Sequence, residues 1–327
     1  MTVHRRLPAI GAIRAPQRGW RGLLCLTLVA LTSCGALFSS PATASRTPTT
    51  TAPDTVTTRT TSSVRFLAVG GTRRSYLVVA PARQHTALPL LAILHGRAVT
   101  VQQEEVRTDF VPLAQQGKAV LVYPIGYGQS WNSGGECCGE AGAAHIDDSA
   151  FLAAVIGDMA SHFSIDGARA YLVGYSNGAR MAFTEVCAHP SLFAAFAIYA
   201  GVPTETCGDT SIAVPIWVGA GTADPELTTT NPARTTTQVI ESVAARWRVR
   251  DGCGATSTSA TIRPAQLTLW AECRNGSAVE SVLYNGVNHY WPRATQAAIP
   301  FNTAVGTRAD AATLMWAFLS AHQAPRG

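Results

Sequence analysis

The chain has 327 residues, of which 47% are hydrophobic and 14% are charged. That much apolar material can bury a sizeable core, which excludes a wholly disordered or fibrous protein. The formal net charge of +5 comes from residues 1–33, which contain five arginines and no acidic residue. The rest of the chain holds 20 basic and 20 acidic residues, so it lacks the basic surplus that a nucleic-acid-binding protein needs.

Residues 1–33 have the composition of an export signal. A short apolar run, residues 22–33, follows the arginines, and it is shorter than the roughly 20 apolar residues that a membrane span needs. The run ends in Leu31-Thr32-Ser33-Cys34, which resembles a bacterial lipobox. We therefore expect lipidation of Cys34 and anchoring at a membrane surface. Ordinary signal-peptidase cleavage after Ala44 is the alternative, and it would release a soluble protein.

Residues 34–63 are predicted to form a flexible, Thr- and Pro-rich linker. Residues 45–63 contain nine Thr and two Pro, a composition that offers too little apolar surface to offset the entropy lost on ordering. The folded part is therefore predicted to begin near Val64. Residues 64–327 contain no second linker and no internal repeat, so they are expected to form a single folded domain.

Cysteine usage agrees with export to an oxidising compartment. Beyond Cys34 and the signal, the chain keeps six cysteines, an even number that suits disulfide bonding. Two pairs are favoured because each closes a short local loop, Cys187 with Cys207 and Cys253 with Cys273. Adjacent Cys137 and Cys138 either bridge each other or stay reduced. Zinc binding by these two and His145 is not expected, because a second pair of ligands at metal-binding spacing is missing.

From Val64 onward, strand-like and helix-like segments alternate. The predicted strands are residues 64–69, 75–80, 88–94, 119–123, 170–173, 193–199, 214–218 and 279–284. The predicted helices are residues 149–163, 177–189, 236–249 and 309–321. Continuous apolar runs such as residues 88–94 suit strands that are buried on both faces. The alternation predicts an α/β fold, with a mostly parallel sheet covered by helices on both faces. Ligands of such sheets bind beyond the carboxyl ends of the strands.

A Gly-x-Ser-x-Gly motif lies between a predicted strand and a predicted helix. Gly174-Tyr175-Ser176-Asn177-Gly178 directly follows residues 170–173. In this context a sharp turn lifts the serine Oγ clear of the sheet, which makes Ser176 the candidate nucleophile. Because a serine hydroxyl is a weak nucleophile near neutral pH, a base must lie within hydrogen-bond reach of it.

The base and its supporting acid are assigned by position. Of the three histidines that follow Ser176, only His289 comes directly after a predicted strand, residues 279–284. Asp224 lies in the loop after the strand at residues 214–218, and its carboxylate is expected to orient the imidazole. Glu226 is the fallback for this acid. The order Ser, Asp, His is the one expected for this type of sheet.

Acyl transfer also needs hydrogen-bond donors aimed at the developing oxyanion. One expected donor is the backbone N–H of Asn177, directly after the nucleophile. The other is the backbone N–H of Arg97, which follows a tight turn at His95-Gly96. The His95 ring is expected to have a structural role. Asp148 precedes a predicted helix and is expected to cap its N-terminus.

With these residues located, the chain resembles the secreted esterases grouped with polyhydroxybutyrate depolymerases, feruloyl esterases and acetylxylan esterases. It resembles in particular the single-domain lipoprotein esterases of that family. The resemblance spans most of residues 64–320, and it departs from the family where Ala220 replaces a frequent His and where a Pro-rich loop is missing after Asp224. The motifs that carry it are Leu94-His95-Gly96, Tyr123-Pro124, Trp131-Asn132, Cys137-Cys138-Gly139, Asp147-Asp148, residues 174–179, residues 221–225 and His289-Tyr290-Trp291-Pro292.

This resemblance implies an α/β-hydrolase fold whose catalytic triad is the serine, aspartate and histidine assigned above. It implies no metal and no organic cofactor. The expected partner is an ester substrate: a small molecule, a polyester or a polysaccharide ester. Trp131, Tyr175 and Trp291 are expected near the mouth of the site, where they would bind an acyl or aryl group. The alternative for the two tryptophans is that they only pack the rim.

Three functions compete on the sequence alone. The leading one is a secreted serine carboxylesterase that hydrolyses hydroxyalkanoate, feruloyl or acetyl-sugar esters through an acyl-enzyme on Ser176. The second is an acyltransferase that modifies cell-envelope sugars or lipids, because the acyl-enzyme is common to both reactions. The third is a non-catalytic surface binding protein on a hydrolase scaffold, which the ordered Ser, Asp and His argue against. The sequence predicts no particular oligomeric state.

Overall fold

A computed structural model describes residues 58–324, except residues 136, 209–210, 230, 297–300 and 303–306. The predicted export signal, the lipidation at Cys34 and the cleavage after Ala44 lie outside these described residues, as does most of the predicted linker. In the described part of the chain, no helix has the length and hydropathy that crossing a membrane requires.

The sheet starts with a hairpin of two strands, β1 (Thr60–Val69) and β2 (Thr72–Pro81). Gly70 and Gly71 form the turn between them. The first strand begins at Thr60, earlier than the predicted domain start at Val64, and its first residues pair with residues 78–81. Branched threonines suit a pleated strand. A strand is recognised in a sequence mainly by the apolar residues that it buries. Because this edge strand is largely exposed, the sequence placed the end of the linker too late.

Ten strands form one sheet. The strands after the hairpin are β3 (Leu88–Leu94), β4 (Val120–Pro124), β5 (Ile165–Tyr175), β6 (Ala195–Tyr199), β7 (Ile216–Gly221), β8 (Thr258–Ile262), β9 (Ala265–Trp270) and β10 (Val279–Tyr284). Their order across the sheet is β1-β2-β4-β3-β5-β6-β7-β10-β9-β8. The strands from β4 to β10 in this order are parallel, and antiparallel strands flank them. The parallel strands therefore deliver the loops that follow them to one edge.

Two further short strands, β11 (Phe301–Asn302) and β12 (Thr307–Arg308), pair with each other outside this sheet. The helices of the described residues are α1 (Val101–Thr108), α2 (Val111–Gln115), α3 (Gly139–Ala143), α4 (Asp148–His162), α5 (Asn177–Ala188), α6 (Thr236–Asp251) and α7 (Ala311–Leu319). Sequence reasoning missed α1, α2, α3 and the β8–β9 hairpin. The four predicted helices are present as α4, α5, α6 and α7.

Helices cover both faces of the sheet. Phe151 of α4 and Trp247 of α6 belong to a buried cluster on one face, which α5 also joins. Val101 of α1 and Met315 of α7 belong to a second buried cluster on the opposite face. The predicted α/β architecture, with a mostly parallel sheet between two helical layers, is therefore confirmed.

The start of α4 differs from its prediction. Asp147 is the N-cap, and its carboxylate accepts a hydrogen bond from the Ala150 N–H. Asp148 is buried instead, 2.7 Å from Arg74 Nη2, and it also accepts a hydrogen bond from the Asn132 N–H. The expectation that Asp148 caps the helix is wrong, because its partners are remote in sequence and local capping rules do not reveal them.

Three disulfide bonds link the six cysteines of the described chain. The bonds Cys187–Cys207 and Cys253–Cys273 confirm the two predicted pairs. Cys137 and Cys138 are bonded to each other, which is one of the two states that the sequence left open. This pairing is compatible with an oxidising compartment.

Candidate active site

Ser176 lies at the sharp turn between a strand and a helix. It directly follows Tyr175, the last residue of β5, and directly precedes Asn177, the first residue of α5. Its φ is 54°, in the left-handed region that residues other than glycine rarely adopt. The Ser176 N–H donates to the Tyr199 carbonyl oxygen over 2.9 Å. The turn holds the half-buried serine side chain at the carboxyl edge of the sheet.

Two glycines let α5 start close against the sheet. A Cβ atom on Gly174 would lie 2.2 Å from the carbonyl oxygen of Gly178. A Cβ atom on Gly178 would lie 2.3 Å from the carbonyl oxygen of Leu94 in β3. Both distances are far shorter than a van der Waals contact, so these positions require glycine. Steric crowding at this turn thus explains why both motif positions are glycine.

His289 lies between the serine and a carboxylate. Its Nε2 is 3.0 Å from Ser176 Oγ, and its Nδ1 is 2.8 Å from Asp224 Oδ2. The loop after β10 carries the histidine, and the Tyr175 hydroxyl donates to the His289 carbonyl oxygen over 2.9 Å. The structure therefore brings the three side chains predicted from the sequence into one hydrogen-bonded chain.

Asp224 is held firmly in the loop after β7. Its side chain is buried, and Oδ1 accepts a hydrogen bond of 2.9 Å from the Glu226 N–H. The Thr236 hydroxyl donates to the Asp224 carbonyl oxygen over 2.8 Å. One carboxylate oxygen is thus fixed by the backbone, which leaves the other aimed at His289.

Glu226, the fallback acid, approaches the other side of the imidazole. Its Oε2 is 3.4 Å from His289 Nε2, the nitrogen that faces Ser176, and its side chain is 63% exposed. A carboxylate that orients the base must bind Nδ1, the nitrogen that does not face the serine. The geometry therefore favours Asp224 over Glu226 for that position.

The segments that contain both expected oxyanion donors border Ser176. Asn177 is the first residue of α5, so its N–H has no acceptor within the helix. On the other side, a Cβ atom added to Gly96 would lie 3.4 Å from Ser176 Cβ. Arg97 follows Gly96 directly in the same segment. The oxyanion roles of Asn177 and Arg97 stay predictions.

The Asn177 side chain, which sequence reasoning overlooked, binds the backbone of Trp131. Its Oδ1 accepts from the Trp131 N–H over 2.8 Å, and its Nδ2 donates to the Trp131 carbonyl oxygen over 3.0 Å. Trp131 itself is fully buried, and its Nε1 donates to the His95 carbonyl oxygen. Its expected place at the mouth of the site is therefore wrong, because these hydrogen bonds hold it in the core.

His95 has the structural contacts expected of it. Its Nε2 accepts from the Gly126 N–H over 2.9 Å, and its Nδ1 lies 2.8 Å from the Gly96 carbonyl oxygen. An Nε2 that accepts cannot carry a proton, so the ring is the Nδ1-protonated tautomer. Burial lowers the pKa of His95 to about 4. The neutral ring joins the end of β3 to the loop after β4.

A cavity of about 510 Å³ is lined by Tyr175 and Tyr290, the chain neighbours of Ser176 and His289, although neither of these two residues lines it. Trp291 also lines it, although it is only 2% exposed. Two of the three predicted binding residues, Tyr175 and Trp291, thus border this cavity. Arg107 of α1 lines the cavity too, and its Cζ lies 5.0 Å from the centroid of the Tyr175 ring. Sequence reasoning missed Arg107, because an arginine in a short helix forms no recognisable motif.

The described residues contain no group of three or more His, Cys, Asp or Glu side chains arranged to hold a metal ion. Among the described atoms around Ser176, the reactive arrangement consists of a hydroxyl, an imidazole, a carboxylate and backbone N–H groups. Such a set can activate an alcohol oxygen and stabilise a negatively charged oxygen next to it.

Comparisons with known proteins agree with the resemblance seen in the sequence. The family model described as "Esterase PHB depolymerase" matches residues 74–226, which include Ser176 and Asp224. The bifunctional acetylxylan esterase/xylanase XynS20E of Neocallimastix patriciarum is 26% identical over 67% of this chain, and this match spans 31% of that longer protein. The esterase-like protein NocK of Nocardia uniformis subsp. tsuyamanensis is 27% identical, over 75% of this chain and 77% of its own length.

Solved structures agree on the fold. Acetyl xylan esterase from Aspergillus awamori matches 71% of this chain and 96% of its own, with a TM-score of 0.55 and 16% identity. A dienelactone hydrolase-like protein from Klebsiella pneumoniae matches 80% of this chain and 99% of its own, with a TM-score of 0.51 and 14% identity. The α/β-hydrolase fold expected from the sequence is thereby confirmed. The resemblance of the chain to the esterase family of the polyhydroxybutyrate depolymerases, feruloyl esterases and acetylxylan esterases is likewise confirmed.

Proposed function

We propose that this esterase is a serine carboxylic ester hydrolase. Ser176 Oγ attacks the ester carbonyl carbon while His289 Nε2 takes the hydroxyl proton. The tetrahedral intermediate collapses, the protonated His289 gives its proton to the leaving alcohol, and the acyl group stays on Ser176. A water molecule, deprotonated by His289, then attacks the acyl carbon; the bond from that carbon to Ser176 Oγ breaks, His289 returns the proton to Oγ, and the acid leaves.

The observation that carries this proposal is the pair of distances around one imidazole. Nε2 lies 3.0 Å from Ser176 Oγ, which is hydrogen-bond reach for proton transfer. Nδ1 lies 2.8 Å from the buried Asp224 carboxylate, which fixes the tautomer and stabilises the imidazolium that forms during the reaction. A serine hydroxyl alone is a weak nucleophile, and the hydrogen bond from Ser176 to His289 makes it reactive.

The backbone N–H groups of Asn177 and Arg97 complete the proposed machinery. They would donate hydrogen bonds to the oxyanion of the tetrahedral intermediate, each worth about 3 kcal/mol of barrier lowering. The support for Asn177 is its position at the first turn of α5, whose N–H groups lack intrahelical acceptors. The support for Arg97 is the close approach of the preceding Gly96 to Ser176.

The proposed substrates are carboxylic esters with hydroxyalkanoate, feruloyl or acetyl-sugar groups. Their support is the family model and the named activity of XynS20E as an acetylxylan esterase. We also propose that the chain is exported, which its three disulfide bonds support. The mass of the mature N-terminal peptide tests whether the exported chain is anchored or released. A lipidated Cys34 at the N-terminus would mean a surface anchor, and an unmodified N-terminus at Ser45 would mean a soluble protein.

Steady-state hydrolysis of 4-nitrophenyl esters of increasing chain length, beside methyl ferulate and an acetylated sugar, tests the activity. We expect turnover of at least one ester and a loss of more than about 1,000-fold in Ser176→Ala, because the nucleophile is removed. Ser62→Ala, on the exposed side of β1, is the matched control and should keep full activity. A folded wild-type chain that hydrolyses none of these esters would refute the proposal. If added sugar acceptors divert the acyl group from free acid, the reaction is transfer instead.

A further inference from the structure

The cavity beside Tyr175 carries positive charge on its wall. Arg107 and Arg293 line it, and no acidic side chain of the described residues does. Arg293 is partly neutralised by Asp109, with 3.4 Å between Nη2 and Oδ1. Within the described part of the chain, no carboxylate lies within ion-pair distance of Arg107.

Glu104, one turn before Arg107 on α1, does not neutralise it. The Glu104 side chain is fully buried, and neither of its carboxylate oxygens has a hydrogen-bond partner among the described residues. Burial raises the pKa of Glu104 to about 8, although the positive charge of Arg107 opposes this shift. Glu104 is therefore mostly protonated at pH 7, and the charge of Arg107 stays available to a ligand.

Flat aromatic surfaces complete the cavity. Tyr290, at its edge, is 69% exposed, which is unusual for so large a ring. Tyr175 and Trp291 meet edge to face deeper in the wall, with ring centroids 6.0 Å apart. An exposed tyrosine beside a guanidinium offers a ring-shaped ligand both a stacking surface and a charge partner.

The cavity lies one aromatic ring away from the reacting groups. The Tyr175 ring contacts both Arg107 and His289: the Arg107 Cζ is 5.0 Å from its centroid, and the His289 ring centroid is 5.4 Å from it. The spacing is that of one ring, so a ring-sized substituent of an ester bound at Ser176 has the length to reach the cavity wall.

We propose that this cavity binds a ring-borne carboxylate of the ester substrate, with Arg107 as the residue that selects the negative charge and Tyr290 as the surface on which the ring stacks. The planar guanidinium suits this task, because its N–H groups match the two oxygens of a carboxylate. An aromatic acid and a uronic acid both present this chemistry. The inference rests on the proposed esterase function, since it assigns the cavity to the substrate of that same site.

Calorimetric binding to the intact chain tests the cavity without any need for turnover. The probes are benzoate, its neutral analogue benzamide, and glucuronate as the sugar acid. We expect benzoate or glucuronate to bind at least about tenfold more tightly than benzamide, because only the acids form charge-assisted hydrogen bonds. The acid that binds identifies the source of the carboxylate. Equal binding of all three probes, or no binding of either acid, would overturn the inference.

Variants of Arg107 assign the preference to one side chain. Arg107→Met should reduce the preference for the acid over benzamide to less than about threefold, and Arg107→Lys should retain part of it because the charge is kept. Arg83→Met, which removes an exposed arginine just after β2, is the control and should leave the preference unchanged. A full preference in Arg107→Met would contradict the role of this residue.

Inhibition of 4-nitrophenyl acetate hydrolysis separates this inference from the esterase function. The acid that binds should compete with the ester, because its cavity is lined by Tyr175, the residue before Ser176. Binding that leaves hydrolysis unaffected would overturn the assignment of the cavity to the substrate while leaving the esterase function intact. A chain that hydrolyses no ester at all would refute the proposed function, and the calorimetric preference would still report on the cavity.

Discussion

Asn177 binds Trp131 through two hydrogen bonds that run in opposite directions between one side-chain amide and one backbone unit. The side chain accepts over 2.8 Å and donates over 3.0 Å. Trp131 in turn donates to the His95 carbonyl oxygen at the end of β3. The residue after the nucleophile is thereby tied to the segment that leads to Gly96 and Arg97. Both proposed oxyanion donors are held by one buried network.

Asn177→Ala should therefore weaken folding and catalysis together. The substitution leaves the buried Trp131 N–H without a partner and removes one of the two donors to the Trp131 carbonyl oxygen, which keeps the Cys138 N–H, at a cost of about 1–3 kcal/mol in the free energy of unfolding. Urea unfolding measures the stability, and kcat for a 4-nitrophenyl ester measures the second effect. Asn285→Ala, in the exposed turn after β10, is the control. An Asn177→Ala chain as stable as the control would contradict the importance of this network.

Asp224 and Glu226 both approach His289, but on different nitrogens, so their substitutions should have very different effects. Asp224→Asn removes the charge beside Nδ1 and allows the wrong tautomer, which should lower kcat about 10,000-fold. Glu226→Gln removes an exposed carboxylate near Nε2, and its effect should stay within about threefold. Steady-state kinetics on one ester compares the two variants. Similar losses in both would mean that the acid has been assigned wrongly.

The buried pair of Arg74 and Asp148 should be important for stability. Burial raises the pKa of Asp148, whereas the Asn132 N–H and the guanidinium of Arg74 oppose that shift. Arg74→Met leaves a buried carboxylate without its partner, which should lower the free energy of unfolding by about 3–5 kcal/mol. Arg169→Met breaks the more exposed pair with Asp166 and should cost at most about 1 kcal/mol. Urea unfolding at pH 7 distinguishes the two, and equal costs would contradict the prediction.

Glu104 should make the protein less stable as the pH rises. Its pKa is about 8 in the folded chain and about 4.3 when unfolded, so between these values the folded state holds more protons than the unfolded state. Stability is therefore highest below the unfolded value and falls as the pH approaches 8. Glu104→Gln removes this titration and should gain stability over the wild type, by up to about 4 kcal/mol, between pH 5 and pH 8.

Urea unfolding across that pH range measures the free energy of unfolding of Glu104→Gln and of the wild type. The difference between the two reports on the Glu104 carboxyl group alone. Glu241→Gln, at an exposed position of α6, is the control and should show a flat difference. A flat difference for Glu104→Gln as well would mean that the buried carboxyl group does not titrate with a raised pKa.

Local patterns explain why much of the fold was predictable. Apolar runs mark β3, β5 and β7 because strands buried on both faces carry few polar residues. The turn at Ser176 needs small neighbours, so its glycines are visible in the sequence. Positions after strand ends then led to Asp224 and His289, which the structure brings within hydrogen-bond distance of each other and of the serine.

Contacts between distant residues explain what was missed. Asp148 was interpreted as a cap, but its partner Arg74 lies 74 positions away. Trp131 is expected near the mouth of the site, but its backbone binds Asn177, 46 positions away. Neither contact leaves a periodic or compositional signal, since each depends on where the sheet places two separate loops. Arg107 escaped notice for the same reason, because only the fold brings α1 against Tyr175.

Covalent labelling with a fluorophosphonate, followed by peptide mapping, tests the central proposal most directly. The reagent reacts with a serine that a neighbouring imidazole activates, and it stops at the first covalent step. We expect a single label on Ser176 of the folded chain, no label in Ser176→Ala, and labelling slowed by more than about 100-fold in His289→Ala. A folded wild-type chain that stays unlabelled, or one that is labelled on another residue, would contradict the proposed mechanism.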